Sequence, residues 1–387
     1  MELFISTPKG NVSLADPVAG LPLPQGPDGD APLLHYGPYL QALSRFFLED
    51  RRHHLLQVLK AFTGKTILPD EIRRAFLVSE KHGALYQVAR LGVELNGCRC
   101  SFAVNVATTD DQKAFLQAEL ALLQDLHSQF SLPYLPRPFL RGVARYASPS
   151  GESRMLELFL TEWFEGFCEF HLSRHPLESS GLRIAVWDHD GGEPFLSAEQ
   201  ETTLYRRTAA ILTAYFDTRS FAQIYPWHHA AGDFIVNRRS GDLEVRLITA
   251  RGYRPLGDSP ESDGAVVIAA LHFFLNMSLR LRLDRLDGTG ELAWADSRCL
   301  TGIVEGFADA WETKRCDEPT LPSADHLLDL LGQFSGDDWM SFGQLVLEDG
   351  MVERDETEYL ARHLPSHVEE LSGLLRSLPD TTTRFLR

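Results

Sequence analysis

The residues best suited to chemistry lie in one short run, YPWHHAAGDFIVN at 225–237. It sets His228 beside His229, follows them with Gly232-Asp233, and then enters the apolar triplet Phe234-Ile235-Val236. A histidine titrates near neutrality and can act as a general base. A single carboxylate such as Asp233 can hold one hydrated Mg²⁺. Four readings are open for Trp227-His228-His229. The histidines bond backbone carbonyls at a buried turn, with Trp227 in the core. Or the loop binds a nucleotide or other ligand without catalysis. Or it serves a transferase with remodelled chemistry. Or His228 or His229 joins Asp233 in a transition-metal site, a reading that lacks a standard ligand spacing and a visible third ligand.

Other chemistry-bearing residues are scattered. Cys98 and Cys100 form a C-x-C without two further ligands nearby, and on a strand both point to one face as small core residues. WDHDGGEPF at 187–195 is acidic, but its spacing is not that of a calcium loop. Arg251 and Arg254 follow Thr249 and are cations able to meet an anion.

These residues need elements to position them. Residues 37–62 carry Leu40, Leu43, Phe46, Phe47, Leu55, Leu56 and Leu59 at helical spacing. LPDEIRRAFLVS continues the helical texture, with AFLVSE also able to supply a strand. Residues 85–107 alternate at period two around Asn96-Gly97, a strong hairpin signal because a type I′ turn needs two residues at positive φ. A two-residue loop pairs Leu95 with Cys98, Val93 with Cys100, Leu91 with Phe102 and Ala89 with Val104 on one apolar face. Val88, Arg90, Ala103 and Asn105 then share the other face. Thr109 caps a helix whose first turn holds Asp110 and Asp111. Two strands follow, FLRGVARYA and RMLELFLTEWF, giving a β-β-β-α-β-β order if AFLVSE or HGALYQVA supplies the first strand. Beyond 170 the chain reads as helical, with a capping box at Ser197 and Gln200. A second hairpin spans 234–237 and 243–248. An apolar helix covers 265–286, and acidic amphipathic helices run to the C-terminus.

The composition sets the class. Of 387 residues, 44% are hydrophobic and 24% charged, which suits a globular chain with a large core. The net charge of −17 opposes a nucleic-acid partner and an anionic membrane surface. Five cysteines without a framework fit reduced thiols, and MELFISTPKG has no signal-peptide apolar run, so the expected location is cytoplasmic. AVVIAALHFFL is too short to span a bilayer.

The order of elements resembles the protein-kinase-like superfamily, in particular its aminoglycoside-phosphotransferase-like branch, over roughly residues 80 to 290. The resemblance implies an α+β, bilobal, protein-kinase-like fold with a helical N-terminal extension. Its segments are an irregular leader at 1–33, a helical extension at 34–80, a small sheet with one helix at 81–166, and a helical lobe with a catalytic-loop-like hairpin at 167–387. Gly83 takes the place of the middle glycine of the phosphate loop and Val88 that of the following valine. Ala103 would face adenine, with Glu162, Trp163 and Phe164 of TEWFEG as the interlobe hinge. Asn105 stands where the family has its phosphate-binding lysine, and Glu119 where it has the glutamate that pairs with that lysine. Aligning on FIV puts His228 at the catalytic aspartate and Asp233 at the metal-binding asparagine. Thr249 occupies the place of the metal-binding aspartate.

The cofactors so implied are ATP and Mg²⁺, with Asp233 as the metal ligand. Yet the lysine and two aspartates are replaced, and phosphoryl transfer depends on that charge neutralisation. The expected function is therefore a pseudokinase-like, catalytically degenerate binding or regulatory protein with a small-molecule or protein partner. The alternative is an atypical ATP-dependent phosphotransferase acting on a small molecule, using His228 as base and Asp233 as metal ligand. Only about fifteen residues separate Thr249 from the helix at 265, too few for the activation segment of a protein-substrate kinase. With the lysine gone, Glu119 needs a donor, and Arg90 or, preferentially, Arg251 is expected to substitute for it.

Overall fold

A computed structural model describes residues 1–7, 10–14, 18–23, 34–82, 86–148, 151, 153–176, 181–188, 194–227, 232–238, 242–257, 264–350 and 354–378. The chain is α+β and divides into two compact units, Met1–Glu165 and Gly166–Arg387.

The first unit is built on a seven-stranded sheet. Its strands are β1 (Glu2–Thr7), β2 (Gly10–Ser13), β3 (Ile72–His82), β4 (Gln87–Leu95), β5 (Arg99–Ala107), β6 (Pro138–Ala147) and β7 (Ser153–Glu162). They lie in the order β2-β1-β3-β4-β5-β7-β6, with β1 parallel to β3 and the other neighbours antiparallel. The β4–β5 hairpin has the register that Asn96-Gly97 demands. Ala89 pairs with Val104, Leu91 with Phe102, and Val93 with Cys100. The Leu95 N–H donates to the Cys98 carbonyl at 2.9 Å. Helix α1 (Tyr36–Thr63) lays Tyr39, Leu40, Leu43, Phe47, Leu55, Val58 and Leu59 into one core with Leu91, Val93, Cys100 and Phe102. Each fully buried aliphatic or aromatic side chain there contributes about 1.5–3 kcal/mol. Helix α2 (Asp110–Gln129) begins at Thr109, whose hydroxyl accepts from the Gln112 N–H, and packs on β5 and β7.

Two features differ from the sequence reading. The leader carries two strands at 2–7 and 10–13, because Phe4 and Ile5 pair along β3 as soon as that strand exists. The helical extension stops at Thr63, where Gly64 at φ +72 closes the cap, and Ile72–His82 is a strand.

The second unit is mainly helical. Its order is β8 (Phe170–Arg174), β9 (Leu182–Val186), α3 (Ala198–Ala214), β10 (Gln223–Ile224), β11 (Phe234–Asn237), β12 (Glu244–Leu247), β13 (Tyr253–Arg254), α4 (Ala265–Arg280), β14 (Leu283–Arg285), β15 (Leu292–Trp294), α5 (Arg298–Asp317), α6 (Ala324–Gly332), α7 (Gly336–Asp349) and α8 (Arg354–Ser377). The strands form four two-stranded ribbons: β8–β9, β10–β13, β11–β12 and β14–β15. Ser197 and Gln200 form the expected capping box of α3. The β11–β12 hairpin is also as expected, from Phe234 opposite Leu247 to Asn237 opposite Glu244. The region after 170 opens with a ribbon, β8–β9, where helix was expected. Helix α4 ends at Arg280 instead of running to 286, because Leu283–Arg285 pairs with Leu292–Trp294. Among the described residues, no helix is long and apolar enough to cross a membrane.

Candidate functional site

The segment singled out by its chemistry belongs to the second unit, and both its ends are pinned. The Tyr225 N–H donates to the Gly252 carbonyl at 3.0 Å, beside the β10–β13 ribbon. The Tyr225 hydroxyl donates to the Gly350 carbonyl. Trp227 is buried edge-on to Phe234, with ring centroids 5.8 Å apart, which gives this residue a packing role. At the far end the Asp233 carbonyl accepts from the Ile248 N–H at 2.8 Å, tying β11 to the end of β12. His228 lies outside the described residues.

Asp233 is 2% exposed, so its carboxylate needs a partner. Arg251 provides one: its Nη2 lies 2.6 Å from Asp233 Oδ1. The Arg251 side chain is 20% exposed, and its Nε is buried without a hydrogen-bond partner. Thr249, between the two in sequence, is half-buried. This arrangement does not suit a divalent cation on Asp233. The carboxylate is already neutralised, and a metal ion beside the guanidinium would meet like charge. Thr249 brings no compensating negative charge.

A second acidic group borders the same turn. Gly232 has φ +72, a conformation that favours glycine, and a Cβ there would stand 2.9 Å from the Glu169 carboxyl carbon. Glu169 Oε2 lies 3.8 Å from His171 Nε2, and Asp284 Oδ1 lies 3.3 Å from His171 Nδ1. Asp284 is fully buried and also accepts from the Leu172 and Arg285 N–H groups at 2.6 and 2.7 Å. Burial opposes charge on His171, but Asp284 and Glu169 outweigh it and push its pKa up to about 9. Sequence reasoning missed this Glu-His-Asp chain. Its signal is Glu-Phe-His, two polar groups at strand spacing, which becomes visible only when 170–174 is taken as a strand.

The remaining candidates lie in the first unit. Val88 faces Asn105 across the β4–β5 pair, and Ala103 faces Arg90, as expected. Val88 and Ala103 are half-buried and Asn105 is buried, on the face opposite Phe102 and Val104. Glu119 on α2 is buried and accepts from the Tyr86 hydroxyl at 2.5 Å. Gly83 lies outside the described residues. Glu162 ends β7 and pairs with Arg137 at 3.5 Å. Trp163 and Phe164 are half-buried, and the Trp163 N–H donates to the Ser101 carbonyl at 3.2 Å. The expected arginine substitution takes another form. Arg90 pairs with Glu80 at 2.9 Å and stacks on Trp163, Arg251 goes to Asp233, and Glu119 has a hydroxyl donor.

Among the described residues, no group of three or more His, Cys, Asp or Glu side chains has the geometry to hold a metal ion. No protein-family model matches the chain, and no curated protein matches it.

Proposed function

We propose that this chain is a pseudokinase-like binding or regulatory protein, kinase-like in fold and catalytically degenerate. The observation that carries the reading is the Asp233–Arg251 pair at 2.6 Å. The one carboxylate left at a metal-binding place of the resemblance is neutralised by a guanidinium of its own unit. Asn105 and Thr249 are neutral at the lysine and metal-aspartate places. A phosphoryl-transfer site so stripped lacks the charges that stabilise the transferring group. Supporting the fold half of the proposal, β3, β4 and β5 precede α2, and β6 and β7 follow it in one sheet. Later in the chain the β11–β12 hairpin follows, an order in keeping with the resemblance.

The test is thermal unfolding with ATP, with and without Mg²⁺. A ligand that binds the native state at tenfold over its Kd adds roughly 1.4 kcal/mol. The expected outcome is no Mg²⁺-dependent stabilisation by ATP. A saturable, Mg²⁺-dependent rise in melting temperature overturns the degenerate reading and favours an atypical small-molecule phosphotransferase.

A further inference from the structure

The first unit holds a cavity of about 240 Å³ on the sheet face that also carries Arg90 and Ala103. Two phenyl rings, Phe4 and Phe76, three guanidiniums, Arg74, Arg90 and Arg99, and the polar side chains of Glu94 and Asn11 line it. The site rests on Gly92. A Cβ there would stand 2.1 Å from the Phe76 ring, so only glycine lets that ring lie flat across β4. Arg74 and Arg99 then stack over Phe76 at 5.3 and 5.1 Å from its centroid.

The guanidiniums are not equally engaged. Arg74 is held by Glu2 through two hydrogen bonds, at 2.8 and 2.7 Å, and by Glu94 at 3.4 Å. Arg90 uses only Nε, on Glu80. Arg99 uses only Nε, 3.6 Å from Glu165. The terminal nitrogens of Arg90 and Arg99 make no hydrogen bond among the described residues, and both side chains border the cavity. They are donors in search of acceptor oxygens. The surrounding charge limits which acceptor suits them. Three arginines stand among four glutamates, Glu2, Glu80, Glu94 and Glu165, a net charge of −1, so a multiply charged phosphate chain would be repelled more strongly than a single carboxylate held on the two guanidiniums. The volume is also small against the roughly 300–1,000 Å³ of sites for larger ligands.

We propose that this cavity binds a small aryl monocarboxylate, with its carboxylate on the free nitrogens of Arg90 and Arg99 and its ring against Phe4 and Phe76. The forked donors match the carboxylate, and the ring gains both apolar burial and contact with guanidinium faces. This site is independent of the Asp233–Arg251 pair and of the kinase-like reading.

The experiment titrates benzoate into the full chain at constant ionic strength, read by melting temperature and by saturation-transfer NMR on the benzoate protons. Acetate supplies the charge without the ring, and benzyl alcohol the ring without the charge. The expected result is saturable stabilisation by benzoate, with both controls weaker by about tenfold. Arg99→Gln, at a side chain 45% exposed, should keep the unliganded melting temperature and weaken benzoate by about tenfold. Gly92→Ala, which drives Phe76 into the cavity, should weaken benzoate without removing a charge. The proposal is overturned if benzoate shows no saturation, if acetate acts as strongly, or if Arg99→Gln binds benzoate as the parent chain does.

Discussion

Asp233 is held by Arg251 at 2.6 Å in a setting where the carboxylate has almost no access to water. Removing one member of such a pair leaves the other desolvated and unpaired. Because Arg251 keeps some exposure, Arg251→Ala should cost about 2 to 4 kcal/mol in urea unfolding, below the full range for deeply buried pairs. The same variant removes the guanidinium from Asp233 Oδ1. Its melting temperature should therefore rise with millimolar Mg²⁺ while that of the parent chain does not. An equal Mg²⁺ response in both proteins would mean that the guanidinium is not what excludes the ion. His171 makes a second residue-scale case. Burial disfavours its charge, Asp284 and Glu169 favour it more, and its folded pKa stands at about 9. Its unfolded value is near 6.5, so the stabilisation is complete below that pH and is lost as pH rises through about 9. Unfolding free energy should drop by about 2 to 3 kcal/mol between neutral pH and pH 10 from this group. His171→Gln should flatten that slope in urea melts across the same range. An unchanged slope would place the alkaline loss elsewhere.

Helices α3 and α5 meet backbone to backbone. A Cβ on Gly302 would stand 2.3 Å from the Thr202 carbonyl oxygen, and one on Gly306 2.1 Å from that of Arg206. Backbone atoms inside two helices cannot give way as a flexible side chain can. Gly306→Val should therefore destabilise by about 3 kcal/mol or more, at the upper end of overpacking. Gly373→Ala in α8, with open space around it, should be neutral or gain up to about 1 kcal/mol from helix propensity. Chemical denaturation of the two variants separates these outcomes, and equal effects would remove the close-approach argument. The legibility of the elements follows the range of the interactions that specify them. Asn96-Gly97 and the alternation around it fix the β4–β5 register locally, and Thr109 and Ser197 mark their helix starts within four residues. The β1 strand was hidden because its pairing joins Glu2 to Phe76 across most of the unit, while β3 was legible only as an alternative to helix at AFLVSE. Helix α4 was overextended because Arg280 and Arg282 are buried yet satisfied by distant groups, the Gly350 and Ala295 carbonyls and Glu370. The candidate site was legible as a loop with a carboxylate at Asp233. The identity of its cation required the fold, since Arg251 approaches only after the β11–β12 hairpin has turned the chain back.

At the scale of the whole molecule, the division at Glu165 and Gly166 assigns the two halves different tasks in holding themselves together. The core of the first unit runs from Ile5 to Leu160 and is closed by residues of that unit. Helix α1 contributes Tyr39, Leu40, Leu43, Phe47, Leu55, Val58 and Leu59 to it, and β1 adds Ile5. The sequence reading placed the small sheet at 81–166, with an irregular leader at 1–33 and a helical extension at 34–80 before it. The packing argues otherwise, because without α1 the apolar face of Leu91, Val93, Phe102 and Val104 would lie open to water. Seven lost α1 side chains at about 1.5–3 kcal/mol each match or exceed the net stability of about 5–15 kcal/mol typical of a domain. A fragment of residues 1–165 should therefore melt cooperatively and keep a near-ultraviolet circular dichroism signal from its packed aromatics. A fragment of 81–166 should not, and its exposed sheet face should make it aggregate. The comparison is made by expressing both and following thermal unfolding and sedimentation. If 81–166 folds cooperatively alone, α1 is an accessory to a self-sufficient small lobe. If 1–165 fails to melt cooperatively while the full chain does, the first unit needs the second for its stability, and the division at 165 is one of contacts only. Cooperative unfolding of 1–165 together with failure of 81–166 makes α1 an integral layer of the lobe that carries Asn105, Glu119 and the arginine-lined cavity.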